Sequence, residues 1–225
     1  MRLHRFYINQ PIEKGKEIKI DNPELLHQWL KVFRLSSSDR VVVFNGDGVE
    51  YEGYFRVLAK KEAVLFLDKE KKLDNKQKVE LHIFQSIIKK DNFEFVVQKC
   101  TEIGVSALHP IISERSEKKD LNIERLNKIA IEASEQSGRV DIPEKLIDSI
   151  QNFKGKLFIL DFDGENILDI EDYNEIGLLI GPEGGWSDEE RRLFKENNIE
   201  SVSIGNNVLR AETASIVSSA LILLR

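Results

Sequence analysis

The pattern of apolar and polar positions changes rhythm once along the chain. In the first third, short apolar runs alternate with polar turns. LHRFYI (3–8), EIKI (17–20), RVVVF (40–44), EYEGYFRVL (50–58) and AVLFL (63–67) read as strands. VVVF-NGDG-VEYEGYF predicts a hairpin, because Asn and Gly supply the positive φ angles of a tight turn. A single helical pattern, NPELLHQWLKVF (22–33), interrupts the strands, with Pro23 near its first turn. Several short strands with one helix predict a small β-barrel over residues 1–70. KEKKLDNKQK (69–78) is charged and has Leu73 as its only large apolar residue, so it reads as a linker.

Past the linker, strand and helix alternate, which sets a second domain at 74–225. VELHIFQSII (79–88), VSALHPII (105–112), KLFILDF (156–162), EIGLLIG (175–181) and SVSIG (201–205) are its predicted strands. NFEFVVQKCTEIG (92–104), LNIERLNKIAIEASEQSG (121–138), DEERRLFKENN (188–198) and ETASIVSSALILL (212–224) are its predicted helices. Phe93, Val96, Val97, Cys100 and Ile103 fall on one helical face, so Cys100 reads as a core residue, and Gly104 takes the C′ position. Alternation of this kind predicts the α/β class, with a mainly parallel sheet covered on both faces. Ligands on such sheets bind in the crevice beyond the C-terminal strand ends.

Composition narrows the class without changing it. The chain has 225 residues, 41% hydrophobic and 32% charged, as in ordinary soluble proteins. No apolar run approaches the roughly 20 residues of a membrane span, and MRLHRFYINQ lacks a signal-peptide core. The lone Cys100 excludes an internal disulfide and fits a reducing compartment, so a cytoplasmic location is expected. Net charge is −6, distributed as +1 over residues 1–70, +3 over 71–128 and −10 over 129–225. A phosphate-facing surface therefore belongs to the first two thirds.

The candidate chemistry begins at IGPEGGWSDEE (180–190), between a strand and a helix. Ser187 and Glu190 have capping-box spacing, and Gly181, Gly184 and Gly185 let the main chain turn and approach a ligand. A polyphosphate fits poorly. The P-loop Lys-Ser/Thr is missing, and Asp188, Glu189 and Glu190 already complement the helix N-terminus. The ligand expected here is neutral or positive, and S-adenosylmethionine has those properties. One βα unit later, SVSIGNNVLRAETA (201–214) forms a second glycine-bearing turn, so that two adjacent turns can share one pocket.

Taken together, HQWLKVFRL, TEIGV, SERS, EASEQSGRVDIP, IGPEGGWS and LRAETA resemble the bacterial 16S rRNA (uracil-N3)-methyltransferases of the SPOUT superfamily, in that family's order and over nearly the whole chain. The resemblance implies a PUA-like N-terminal barrel that holds RNA, and a C-terminal α/β domain with a deep trefoil knot. It also implies a homodimer and one target uridine of small-subunit ribosomal RNA, methylated at N3 within the assembled subunit. Carried across, the cofactor pocket is Leu160, Ile180, Gly181, Glu183, Gly184, Gly185, Ile204, Gly205, Val208, Leu209, Arg210 and Ala214. Arg115, Arg139 and Arg210 are the candidate catalytic cations, facing uracil oxygens as N3 loses its proton. Arg2, Arg5, Arg34, Lys89, Arg115, Lys118 and Lys119 are candidate RNA contacts. His4, His27, His82 and His109 form no recognisable catalytic pair and no metal-ligand spacing with Cys100, so no metal is expected. The alternative readings are a ribosome-associated RNA-binding module that senses an adenosyl ligand without turnover, and a nucleotide enzyme with no RNA partner.

Overall fold

A computed structural model of the chain describes residues 3–72, 77–116, 120–143, 150, 153–167 and 173–224. The chain divides into two compact units. The first comprises residues 1–75 with 135–141, and the second 76–134 with 142–225.

The first unit carries β1 (His4–Tyr7), β2 (Glu17–Ile20), β3 (Arg40–Phe44), β4 (Val49–Leu58) and β5 (Ala63–Lys72) in one sheet of order β1-β3-β4-β5-β2. Only β1–β3 is parallel. Strand alternation turns Phe6, Val41, Val43, Phe55, Leu65 and Leu67 into one core with Trp29 and Leu26. The helical segment has two parts. Asn22 caps α1 (Pro23–His27) through bonds from the Glu24 and Leu25 amides. A π-helical turn over Gln28–Val32 follows, closed by Phe33 N–H donating to Gln28 O. This wider turn accompanies the insertion of Trp29, fully buried, between the rings of Phe6 and Phe55. The predicted linker is a correction. Residues Lys69–Lys72 continue β5 and pair with Val49–Glu52 of β4, because backbone pairing tolerates charged side chains on an exposed edge.

The second unit has β6 (Glu80–Ser86), β7 (Ala107–Ile111), β8 (Lys156–Asn166), β9 (Glu175–Ile180) and β10 (Glu200–Ser203), all parallel, in the order β10-β8-β9-β6-β7. Its helices are α2 (Lys90–Ile103), α3 (Ile123–Ser137), α4 (Asp188–Glu196) and α5 (Ala211–Leu223). The apolar stripe of α2 is buried as its spacing requires, and Gly104 closes the helix at φ 111°. Burying each of Phe93, Val96 and Val97 contributes about 1.5–3 kcal/mol.

Cys100 is fully buried, and the loss of water pushes its thiol up to about 12; the Ser219 hydroxyl acts weakly the other way. Ser215, Ser218 and Ser219 are also fully buried, and each bonds back to a carbonyl of its own helix. These small residues let α5 lie close against α2 and β6. Two of the histidines meet in the core. His82 Nδ1 lies 3.0 Å from His109 Nε2, a buried pair that parallel β6–β7 pairing creates from residues 27 apart in sequence.

Candidate nucleoside-ligand cleft

Sheet order explains the site. Strand β8 lies between β10 and β9, so the turns after β9 and β10 and the middle of β8 meet at one edge of the sheet. Pairing of β8 with β9 ends at Leu160–Ile180. Pairing of β8 with β10 runs from Phe158–Glu200 to Ile159–Ser201, then resumes only at Glu165–Val202. The gap between these pairings opens a cleft of about 530 Å³.

All twelve residues carried across as the cofactor pocket line this one cleft, Leu160 from β8, Ile180 to Gly185 from the first turn, and Ile204 to Ala214 from the second. Pro182, inside the Gly181–Gly185 loop, lines it too, with Asp161, Phe162, Trp186, Arg191, Ser203, Asn207 and Ala211, which the sequence pattern does not mark. Asp161 and Arg191 form an ion pair in the wall, and Asp161 Oδ1 also accepts from the Phe162 amide at 2.8 Å. A short acid within a strand and an arginine thirty residues later carry no signal until packing joins them.

The first turn is built in detail. Gly185 adopts φ 66° and Gly205, in the second turn, φ 130°, both in the region where a side chain is strained. The capping box is present: Glu190 N–H donates to Ser187 Oγ at 3.2 Å, and Ser187 N–H donates to Glu190 Oε2 at 2.8 Å. Glu190 thus occupies the N-terminus of α4, which removes the site a polyphosphate would use. Its Oε1 accepts from Glu114 N–H at 2.9 Å, and Glu183 Oε1 accepts from Lys89 N–H at 3.3 Å. Trp186 Nε1 is buried with no partner among the described residues.

The candidate cations separate. Arg210 lines the cleft with its side chain 84% exposed, 4.0 Å from Glu212. Arg115 donates to the carbonyls of Gly184 and Trp186. Arg139 belongs to the first unit, is buried, and binds Asp141 at 2.7 Å. Arg5 also lies in the first unit, with its guanidinium paired to Glu50 and donating to Arg139 O at 3.2 Å. Arg34 and Lys89 are exposed. Arg2, Lys118 and Lys119 lie outside the described residues.

This fold is that of the SPOUT methyltransferases. A ribosomal RNA small subunit methyltransferase E from Neisseria gonorrhoeae, solved with S-adenosyl methionine, superposes with TM-score 0.87 at 27% identity, covering 97% of this chain and 96% of that one. A Legionella pneumophila structure with the cofactor SAM superposes with TM-score 0.90 at 29% identity, covering 99% and 97%. The chain belongs to the RNA methyltransferase domain family, whose pattern matches residues 75–223. The ribosomal RNA small subunit methyltransferase E of Rickettsia conorii is 32% identical over 98% of this chain and 95% of its own length.

Proposed function

We propose that the protein transfers a methyl group from S-adenosylmethionine to ring nitrogen N3 of one uridine in small-subunit ribosomal RNA, acting as a homodimer on the assembled subunit. The observation that carries the reading is the cleft, where two glycine turns and Leu160 surround a space closed to polyphosphate by Glu190. Its size falls within the roughly 300–1,000 Å³ of ligand sites. Relatives that match nearly the whole chain carry the small-subunit methyltransferase name, and the Neisseria structure has the donor bound.

S-adenosylmethionine, when bound, supplies an electrophilic methyl group on a cationic sulfur. Glycine-turn backbone and the apolar walls from Leu160, Ile180, Ile204 and Leu209 hold the adenosyl part and exclude water. Uridine N3 loses its proton to solvent before or during attack, leaving negative charge on the uracil oxygens, and the donor's S–C bond breaks as the N–C bond forms. Arg210, exposed at the mouth, is the cation best placed to favour that charge. Excluding water strengthens the effect, because opposite charges are annihilated as the new N–C bond forms. Arg34 and Lys89, with Arg2, Lys118 and Lys119, remain the proposed phosphate contacts, and binding through them weakens with salt. Arg5 and Arg139, committed to partners in the first unit, are better read as structural there.

The test is mass spectrometry of small-subunit RNA lacking the modification, before and after incubation of subunits with protein and isotopically labelled methyl donor. One labelled 3-methyluridine is expected. Tight donor binding without label in RNA would favour the sensor reading instead.

A further inference from the structure

We propose that Arg115 is a positioning residue that locks the first glycine turn into one main-chain conformation for the adenosyl ligand, an inference resting on the function proposed above. Its Nη1 donates to Gly184 O at 2.9 Å and to Trp186 O at 3.2 Å. The opposite ends of the same two peptides are held too. Gly185 N–H donates to Pro182 O at 2.9 Å, and Ser187 N–H to Glu190 Oε2 at 2.8 Å. A planar peptide held at both its C=O and its N–H cannot turn over without breaking both bonds.

Between these two pinned planes lies the Gly185–Trp186 peptide, whose N–H and C=O have no hydrogen bond among the described residues. With its neighbours fixed, its orientation depends on ψ of Gly185 and φ of Trp186. The second angle is restrained by the buried indole, edge-on to Phe194 at 5.0 Å between ring centres. This peptide is therefore a donor and an acceptor held ready at the cleft wall.

The arginine itself hangs from a rigid support. Ser113 and Ser116 are buried with their hydroxyls 2.8 Å apart, and Glu114 N–H is bonded to Glu190. A guanidinium nitrogen spent on two main-chain carbonyls serves the loop's shape rather than the reacting base.

Calorimetry, steady-state kinetics and amide hydrogen exchange on wild type, Arg115→Ala and Arg115→Lys test this. In Arg115→Ala, S-adenosylmethionine affinity is expected to fall roughly 30-fold and KM for the donor to rise in step, with kcat changed less than about 3-fold. Without ligand, the bonded amides of Gly185 and Ser187 exchange faster while those of α2 and α5 do not. Lysine is one bond shorter and reaches the carbonyls poorly, so Arg115→Lys falls between. Unchanged affinity with a collapsed kcat would make Arg115 a catalytic residue and overturn the proposal. Faster exchange across the whole second unit, with affinity lost only in proportion, would reduce it to a folding role and overturn it equally. Failure of the wild type to bind the donor would instead remove the proposed function, and this inference with it.

Discussion

The turn after β9 is fastened by Arg115, Glu190 and the Glu183–Lys89 contact, whereas the turn after β10 is fastened by almost nothing. Among the described residues, no hydrogen bond reaches the main chain of residues 205–209, and Val208 is 86% exposed. At the start of the helix that follows, Glu212 Oε2 is buried without a partner among the described residues. The cleft therefore has one finished wall, held by hydrogen bonds, and one open wall whose main chain has none among the described residues. A preformed wall lowers the ordering cost of binding, and an adaptable one lets the cleft admit and enclose its occupant.

The largest expected effect comes from spoiling the finished wall. A Cβ at Gly184 would stand 3.3 Å from Arg115 Cβ, and the branches of valine reach further. Overpacking of about 1–3 kcal/mol confined to the loop makes Gly184→Val lose roughly 10- to 100-fold in donor affinity by calorimetry, with a much smaller change in Tm. Equal loss of stability and affinity would show the turn to be only a connection.

Arg210→Ala probes the open wall. Its exposed side chain predicts an unchanged Tm and donor affinity within about 3-fold, while methyl transfer slows roughly 10- to 100-fold. A loss of donor affinity without loss of turnover would make Arg210 a cofactor contact rather than a catalytic cation.

Hydrogen exchange compares the walls directly. Donor binding is expected to slow exchange of residues 205–209 by about 10-fold or more, and of the already bonded Gly185 and Ser187 amides by less than about 3-fold. Equal protection of both would erase the distinction.

The smallest effect is a control in the first unit. Arg34 follows the π-helical turn with φ 54°, a left-handed conformation that costs a side chain about 1–2 kcal/mol. Arg34→Gly should raise stability by about 1 kcal/mol in denaturant titrations and leave donor affinity unchanged. Weaker binding to RNA in the same variant would support the phosphate contact proposed for this residue.

What was legible in the chain was local. The glycines of the two turns, the Ser187–Glu190 box, the Gly104 stop and the core face of α2 each depend on residues within a few positions of one another, where chemistry and spacing suffice. Arg115 and Gly184, 69 residues apart, meet because of the order β9-β6-β7. Asp161 and Arg191 meet likewise because β8 lies beside β9, and His82 and His109 because β6 lies beside β7. Extension of β8 to Asn166 was missed because its second half, DGEN, lacks an apolar pattern and is held by pairing to β10. Arg139 sits in a matching stretch whose neighbours in space come from the first unit, which no spacing along the chain reveals.

Glu135, late in α3, accepts the Tyr7 N–H of edge strand β1 at 2.8 Å, and residues 135–141 cluster with the N-terminal sheet rather than with the helix's own unit. Neither half is thus a contiguous cassette. A recombinant fragment ending at residue 75 would lack the carboxylate that seals its outermost strand, so genetic swaps at that seam sever a modularity the fold does not possess.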